Sequence, residues 1–244
     1  MNLLRCVSCF LLLLATTAWA APPTVGGRDF EQWVSFYYVH PAPEEIAEAL
    51  RIVDSEGYFQ NDNVQAPLSG FFAEVFRANP ERISGWVAPY AGRKSMHILY
   101  SALWVADSSQ SRAALALLQT IANPADRLLI ESLLVGGPPS IGDTTVDSPA
   151  VLDYLWGRFM ASGAEEPVIR VIQEMQSASP GSGTTQMLIS GAANWSVSAN
   201  ARQHIRVLEI VKAQAQAQPS SEVASALRQI IDNAPPTGPS PHGG

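Results

Sequence analysis

Apolar residues recur at helical spacing along nearly the whole chain, and this periodicity limits the fold more than any other feature. The clearest example is Phe30, Trp33, Val34 and Tyr37, which follow the i, i+3, i+4, i+7 pattern of one helix face. Period-two alternation is rare, and we find no convincing hairpin and no alternation of strands with helices. We therefore predict an all-α fold of about ten to twelve short antiparallel helices.

Prolines that are typical of helix starts stand at regular intervals. Pro41, Pro80, Pro124 and Pro167 lie 39 to 44 residues apart, which is within the range of HEAT-like helix pairs. The start at Asn123–Asp126 is the clearest, because it combines a cap, a proline and an acid in the first turn. The side chains between these prolines do not repeat clearly. Two arrangements therefore stay open, an irregular bundle and a HEAT-like helical stack.

Glycine and proline also indicate how the chain is organised. Residues 136–148 form the longest stretch without helical periodicity. They either separate two halves, residues 28–135 and 148–234, or form a surface loop within a single all-helical domain over residues 21–234. Residues 235–244 are rich in proline and glycine, and we predict that they are a disordered tail.

The first twenty residues have the layout of a secretory signal peptide. Arg5 precedes an apolar run over residues 10–15, and Ala18-Trp19-Ala20 provides a small-x-small cleavage site between Ala20 and Ala21. The apolar run is too short to span a bilayer comfortably, and no later run reaches that length. We predict that residues 1–20 are removed and that the product is periplasmic or secreted, with no transmembrane segment.

Removal of this leader would take away Arg5, Cys6 and Cys9. The basic side chains would fall from 15 to 14 against 22 acidic ones, so the net charge would change from −7 to −8. A negative charge argues against a nucleic-acid partner. A chain without cysteine forms neither a disulfide nor a thiolate metal site, so the exported protein would depend on its apolar core.

The sequence lacks the motifs of the common catalytic and cofactor sites. It has no glycine-rich phosphate loop with a lysine, no Gly-x-Ser-x-Gly, no Ser-x-x-Lys and no His-Glu-x-x-His. None of His40, His97 and His204 has another histidine or a cysteine within one helical turn. Asp153, an acid in an apolar segment, is the nearest candidate for a catalytic carboxylate. We assign no catalytic residue, and we predict no cofactor and no metal.

Three segments carry candidate binding residues. In the first, His97, Tyr100 and Trp104 share one helix face just after the basic pair Arg93 and Lys94. They predict either an aromatic groove for a ligand or peptide, with His97 as a hydrogen-bonding partner, or plain packing with His97 at the rim of the core.

The second candidate group is Trp195, Asn200 and His204. A histidine on the same helix face as the core residues needs a hydrogen-bond partner, which Asn200 or Trp195 offers. These residues predict either a polar pocket or a helix start capped by Asn200, with Gln203 three residues later completing the pattern.

The third group lies in the first predicted helix. Aromatic residues there exceed what one core face needs, and they include Trp33, Tyr37 and Tyr38. Either some of them stay outside as a partner surface, or all of them belong to a thick helical core.

Three stretches of sequence, residues 70–80, 152–156 and 195–204, resemble an uncharacterised family of exported bacterial helical proteins. The resemblance extends over most of the chain after the leader. It implies no activity, cofactor or catalytic residue. It favours only a location in the bacterial cell envelope.

Taken together, these features predict a non-enzymatic exported protein that binds another envelope protein or a peptide, since stacked helices form extended grooves. The alternatives are a periplasmic hydrolase and a small-molecule binding protein, each with its site around His97 or His204. An enzyme would need a histidine in a concave site with an acid within reach.

Overall fold

A computed structural model describes residues 22–138, 140–175, 183–217 and 222–234. The predicted cleavage site at Ala20 and Ala21 and the predicted tail over residues 235–244 lie outside these ranges. Within them the chain forms twelve α-helices, five 3₁₀ helices and two strands of two residues each. The prediction of an all-α fold with about ten to twelve helices is therefore confirmed.

The helices follow one another along the chain. Their bounds are α1 (Phe30–Ser35), α2 (Ile46–Ser55), α3 (Asp62–Ala78), α4 (Ile83–Val87), α5 (His97–Ala106), α6 (Ser109–Ile121), α7 (Pro124–Val135), α8 (Pro149–Ser162), α9 (Glu165–Glu174), α10 (Thr184–Gln203), α11 (Ile205–Ala217) and α12 (Glu222–Asp232). The 3₁₀ helices are Tyr37–Val39, Pro43–Glu45, Tyr58–Gln60, Pro80–Arg82 and Ala88–Tyr90. The connection over residues 136–148 between α7 and α8 is the longest one whose residues are nearly all described.

One short hairpin precedes the first helix, which corrects the expectation that the chain has none. Strand β1 (Thr24–Val25) pairs antiparallel with β2 (Arg28–Asp29). Gly26 and Gly27 form the turn with φ angles of 54° and 77°. Two consecutive positive φ values are typical of the tight turn that fits the twist of a hairpin. The strands are too short to show period-two alternation, so the pattern search did not find them.

The chain divides into two compact units. Of the described residues, the first unit comprises those from 22 to 144 and Asp153–Gly163, and the second comprises Thr145–Leu152 and those from 164 to 234. Helix α8 crosses the boundary, because its first turn belongs to the second unit and the rest of the helix to the first.

The core of the first unit is built around α3. Helix α3 packs most extensively against α5. Its aromatic side chains pack against the first elements of the chain. Trp33, Tyr37 and Phe71 form a mutual cluster, with ring centroids 5.1 to 5.6 Å apart. All three side chains are buried. Edge-on and tilted rings at these separations stabilise a core beyond the area that they bury.

Helices α3 and α8 cross where both carry glycine. A Cβ atom on Gly157 would lie 1.9 Å from the carbonyl oxygen of Pro67, and a Cβ atom on Gly70 would lie 2.1 Å from the carbonyl oxygen of Tyr154. Backbone therefore meets backbone on both sides of the crossing. Such an approach is possible only without side chains at these two positions.

An ionic cluster links the same helices. Arg158 of α8 is buried and pairs with Glu74 of α3. Arg77 also pairs with Glu74, at 2.7 Å, and donates a 2.6 Å hydrogen bond to the carbonyl oxygen of Val105 at the end of α5. Because the Glu74 carboxylate compensates the positive charge of the buried Arg158 guanidinium, the loss of either partner would leave an uncompensated charge in the core.

In the second unit, α10 is the central helix, and it packs on α9, α11 and α12. The Ser190 hydroxyl donates a 3.0 Å hydrogen bond to the carbonyl oxygen of Met175, just after α9. Helix α10 ends at Gln203, and His204 breaks it with extended backbone angles before α11 begins at Ile205. The predicted helix start at Asn200 is therefore wrong, because Asn200 lies in the last turn of α10.

Within the described ranges, no helix combines the length and the apolar composition that a bilayer crossing requires.

Candidate functional site

Exposed apolar side chains are concentrated on two neighbouring helices of the first unit. Ten large apolar side chains are exposed in the described part of the chain, and five of them lie on α6 and α7. They are 38% to 87% exposed. We call them the α6–α7 apolar surface, which consists of Leu117, Ile121, Leu128, Leu134 and Val135. Exposed apolar side chains that are concentrated in this way commonly mark binding sites.

These side chains are exposed because α6 and α7 are apolar on more than one side. On α6, Leu115 and Leu118 are buried, while Leu117 and Ile121, one turn apart, face outward. Helix α7 repeats the pattern: Ile130 is buried, and Leu128 lies on the opposite side. A helix that only covers a core would carry polar residues on its outer side.

The start of α7 is tied to the loop that precedes α5 by one buried carboxylate. The side chain of Asp126 accepts hydrogen bonds on Oδ2 from the Ser95 backbone N–H at 3.1 Å, the Tyr100 hydroxyl at 3.3 Å and the Asn123 amide at 2.8 Å. Asn123 also caps α7 by accepting from the backbone of residues 125 and 126, as its sequence pattern predicts. Three donors on one oxygen hold the carboxylate in place.

The end of α7 is also held. The indole N–H of Trp104 on α5 donates a 3.0 Å hydrogen bond to the carbonyl oxygen of Gly136, the residue that follows α7. Together with Asp126, this bond fixes both ends of α7 relative to α5. A surface on such a helix is ordered before a partner arrives, so less conformational entropy is lost on binding.

His97 lies beside the same carboxylate. Its Nε2 is 3.8 Å from Asp126 Oδ1, and its side chain is 42% exposed while that of Asp126 is 6% exposed. Tyr100 is buried, and its pKa is raised above its usual value by burial and by Asp126. At 3.8 Å the two side chains are neighbours without a hydrogen bond, which a general base and its orienting carboxylate would need.

The structure therefore separates the first predicted group. His97 and Tyr100 meet at Asp126, whereas Trp104 is half-buried and bonds to Gly136. Tyr100 and Trp104 each donate a hydrogen bond that ties α5 to α7. Their role in binding a ligand stays a prediction.

The aromatic residues of the first helix lie mostly inside. Trp33 and Tyr37 are buried, and Tyr38 is half-buried with its ring centroid 4.9 Å from that of Phe159. The Trp33 indole donates a 2.6 Å hydrogen bond to Glu45, which also accepts from Arg28 at 2.8 Å. These contacts account for the aromatic residues as part of a thick core.

The group around His204 is also divided. Trp195 is 49% exposed, while His204 is buried and its pKa is lowered by burial to about 4. The Asn200 amide donates a 2.9 Å hydrogen bond to the carbonyl oxygen of Ser196, one turn back on its own helix. Trp195 therefore faces solvent, and a neutral His204 belongs to the core.

Asp153, the candidate carboxylate of the sequence, is half-buried. Burial raises the pKa of Asp153 to about 6. Among the described residues, no group of three or more histidine, cysteine, aspartate or glutamate side chains is arranged to hold a metal ion.

The sequence reasoning missed the apolar surface and the role of Asp126. The segments over residues 113–121 and 128–135 contain more apolar residues than one helix face holds, and this excess was the available signal. Asp126 stands 26 residues from Tyr100 and 29 from His97 along the chain, and no local pattern connects them.

Comparison with known proteins gives no relative: no family model, curated protein or solved structure matches this chain.

Proposed function

We propose that this protein is a non-enzymatic exported helical protein that binds another protein or a peptide in the cell envelope, and that it binds through the α6–α7 apolar surface. The observation that carries the proposal is the concentration of exposed leucine, isoleucine and valine side chains on these two helices. Each square ångström of apolar surface that a partner covers contributes roughly 25 cal/mol.

The chemistry of this surface suits an apolar partner segment. The charges on α6 and α7 are few and of both signs: Arg112 pairs with Asp107, and Arg127 and Glu131 are exposed. Strong electrostatic steering by a highly charged ligand is therefore not favoured. The apolar face of an amphipathic helix, with anchors at i, i+3 or i+4 spacing, fits better.

Location in the envelope rests on the leader. The basic residue, apolar run and small-x-small site over residues 1–20 support export. The resemblance to exported bacterial helical proteins points the same way.

Selection from a random peptide display library tests the binding proposal directly. We expect the purified protein to enrich peptides with apolar residues at helical spacing. Leu128→Glu places a charge at a 69% exposed position of the surface, so it should reduce binding of these peptides by at least about tenfold.

Val39→Glu is the matched control, because Val39 is also an exposed apolar residue of the first unit but lies away from α6 and α7. It should leave the affinity unchanged. Equal loss in both variants, or no enriched sequence pattern with the folded protein, would contradict the proposal.

A second candidate function is favoured by one observation, the approach of His97 Nε2 to Asp126. In a hydrolase, His97 would be the general base and Asp126 would orient it. A panel of ester, amide and phosphoester substrates tests this candidate with the wild-type protein and His97→Gln. Turnover that is lost in His97→Gln, with an unchanged melting temperature, would support a hydrolase and overturn the non-enzymatic proposal.

A further inference from the structure

The second unit carries an open apolar face of its own, on α10. One side of this helix, including Ile189, is buried against α9, α11 and α12. On the other side Met187, Leu188 and Trp195 are 60%, 43% and 49% exposed. A helix that only covers a core carries polar residues on its outer side, so these three large apolar side chains give the open face the composition of an interface.

The open face is shaped to receive another helix. Thr184, Gly191 and Ser198 stand seven residues apart along its middle, which is the repeat that keeps two helices in contact over their length. Met187, Leu188 and Trp195 flank this row. A Cβ atom on Gly191 would meet nothing within 4 Å. No side chain therefore covers the backbone at the centre of the face.

The face is complementary to itself. If a second copy of α10 runs antiparallel about a two-fold axis at Gly191, then Thr184 lies opposite Ser198, Met187 opposite Trp195 and Leu188 opposite Asn194. Small residues then meet small residues, and a thioether meets an aromatic ring, which is a favourable contact. Close pairing at glycine is already used within the first unit, where α3 and α8 cross at Gly70 and Gly157.

Charge also favours a second copy as the occupant. The chain carries a net charge of −7, so two copies repel one another unless they meet where charge is sparse. Helix α10 has no acidic side chain in its 20 residues, and Arg202 in its last turn is its one charged residue.

We propose that the protein is a homodimer in which α10 pairs antiparallel with α10 of a second copy about a two-fold axis at Gly191. The interface is isologous, so the same patch serves on both copies. The proposal goes beyond the binding function above, because it concerns a different surface on the other unit.

Sedimentation equilibrium of the purified protein over the micromolar range tests it. We expect a monomer–dimer equilibrium in the wild-type protein. Gly191→Leu fills the empty centre of the face, and because its Cβ meets nothing within the chain, the folded monomer tolerates it. The variant should weaken dimerisation by at least about tenfold, with an unchanged helical circular dichroism spectrum.

Two further variants complete the test. Trp195→Glu should also yield monomer, whereas Leu128→Glu, the same kind of change on the α6–α7 apolar surface, should leave the dimer intact. The proposal is overturned if the wild-type protein is monomeric at every concentration, or if Gly191→Leu and Trp195→Glu dimerise as the wild type does. A dimer that Leu128→Glu disrupts equally would also overturn it. Failure of the peptide-binding proposal would leave these results unchanged.

Discussion

At the scale of single residues, the half-buried Asp153 and the buried His204 respond to acid with opposite sign. Burial raises the pKa of Asp153 to about 6 from 3.8, and it lowers the pKa of His204 to about 4 from 6.5. Between pH 6 and 3.8 the folded state holds the Asp153 proton and the unfolded state does not, so acid stabilises the fold there. Between pH 6.5 and 4 the unfolded state holds the proton of His204, so acid destabilises the fold.

Asp153→Asn tests the first of these effects. Above pH 6 the wild-type protein keeps a buried charge that the amide does not have. The variant should therefore be more stable than the wild type at pH 7.5, by an amount on the order of 1–2 kcal/mol. The difference should shrink as the pH falls towards 4, because Asp153 becomes neutral in the folded state. Urea unfolding of both proteins at several pH values measures it.

Asp147→Asn, at an exposed aspartate, is the control and should match the wild type throughout. A stability difference for Asp153→Asn that is independent of pH would show that burial of the charge is not its cause.

At the scale of elements, the crossing of α3 and α8 depends on two missing side chains. The Gly157 Cβ position is 1.9 Å from a carbonyl oxygen of the facing backbone. A flexible side chain could move aside, but a backbone carbonyl inside a helix cannot do so without shifting the helix. Overpacking of this kind commonly costs about 1–3 kcal/mol or more.

Gly157→Ala should therefore lower the free energy of unfolding by about 1–3 kcal/mol or more, measured by urea titration. Gly85→Ala is its control, because Gly85 is an exposed residue within α4 whose Cβ would meet nothing within 4 Å. Alanine there should be neutral or stabilising by up to about 1 kcal/mol. A stable Gly157→Ala protein would contradict the close backbone contact.

The helices themselves could be predicted because each buries one periodic stripe, and this is why Phe30, Trp33, Val34 and Tyr37 already indicate the first core face. The Asn123 cap could be predicted because its signal lies within four residues. The end of α10 could not be predicted from the sequence. Asn200 and Gln203 form a good local capping pattern, but the helix continues through them to pack on its neighbours, and tertiary packing outweighs a local cap.

At the scale of the whole molecule, nine of the ten exposed large apolar side chains in the described ranges lie on α6, α7, α10 or the first residue of α11. Each unit therefore has its own apolar surface, and the remaining residue, Val39, is isolated. We assign the surface of the first unit to a partner and that of the second to a further copy of the chain.

Less of the candidate site than of the fold could be predicted from the sequence. The aromatic residues that stand out in the sequence, such as Trp33 and Tyr100, are buried because large aromatic rings contribute most to a core. Leucine and valine on α6 and α7 are ordinary in a helical sequence, and only exposure distinguishes them. Exposure depends on which helices pack together, and that information is distributed over the whole chain.

The central claim is that α6 and α7 hold a protein or peptide partner in the cell. Photo-cross-linking tests it most directly, with a photoreactive amino acid at Leu128 in one strain and at Val39 in another, each protein at its native level. We expect that Leu128 captures one partner in stoichiometric yield, that Val39 does not, and that Leu117→Glu abolishes the capture. No cross-linked partner from Leu128, or the same mixture of proteins from both positions, would contradict it.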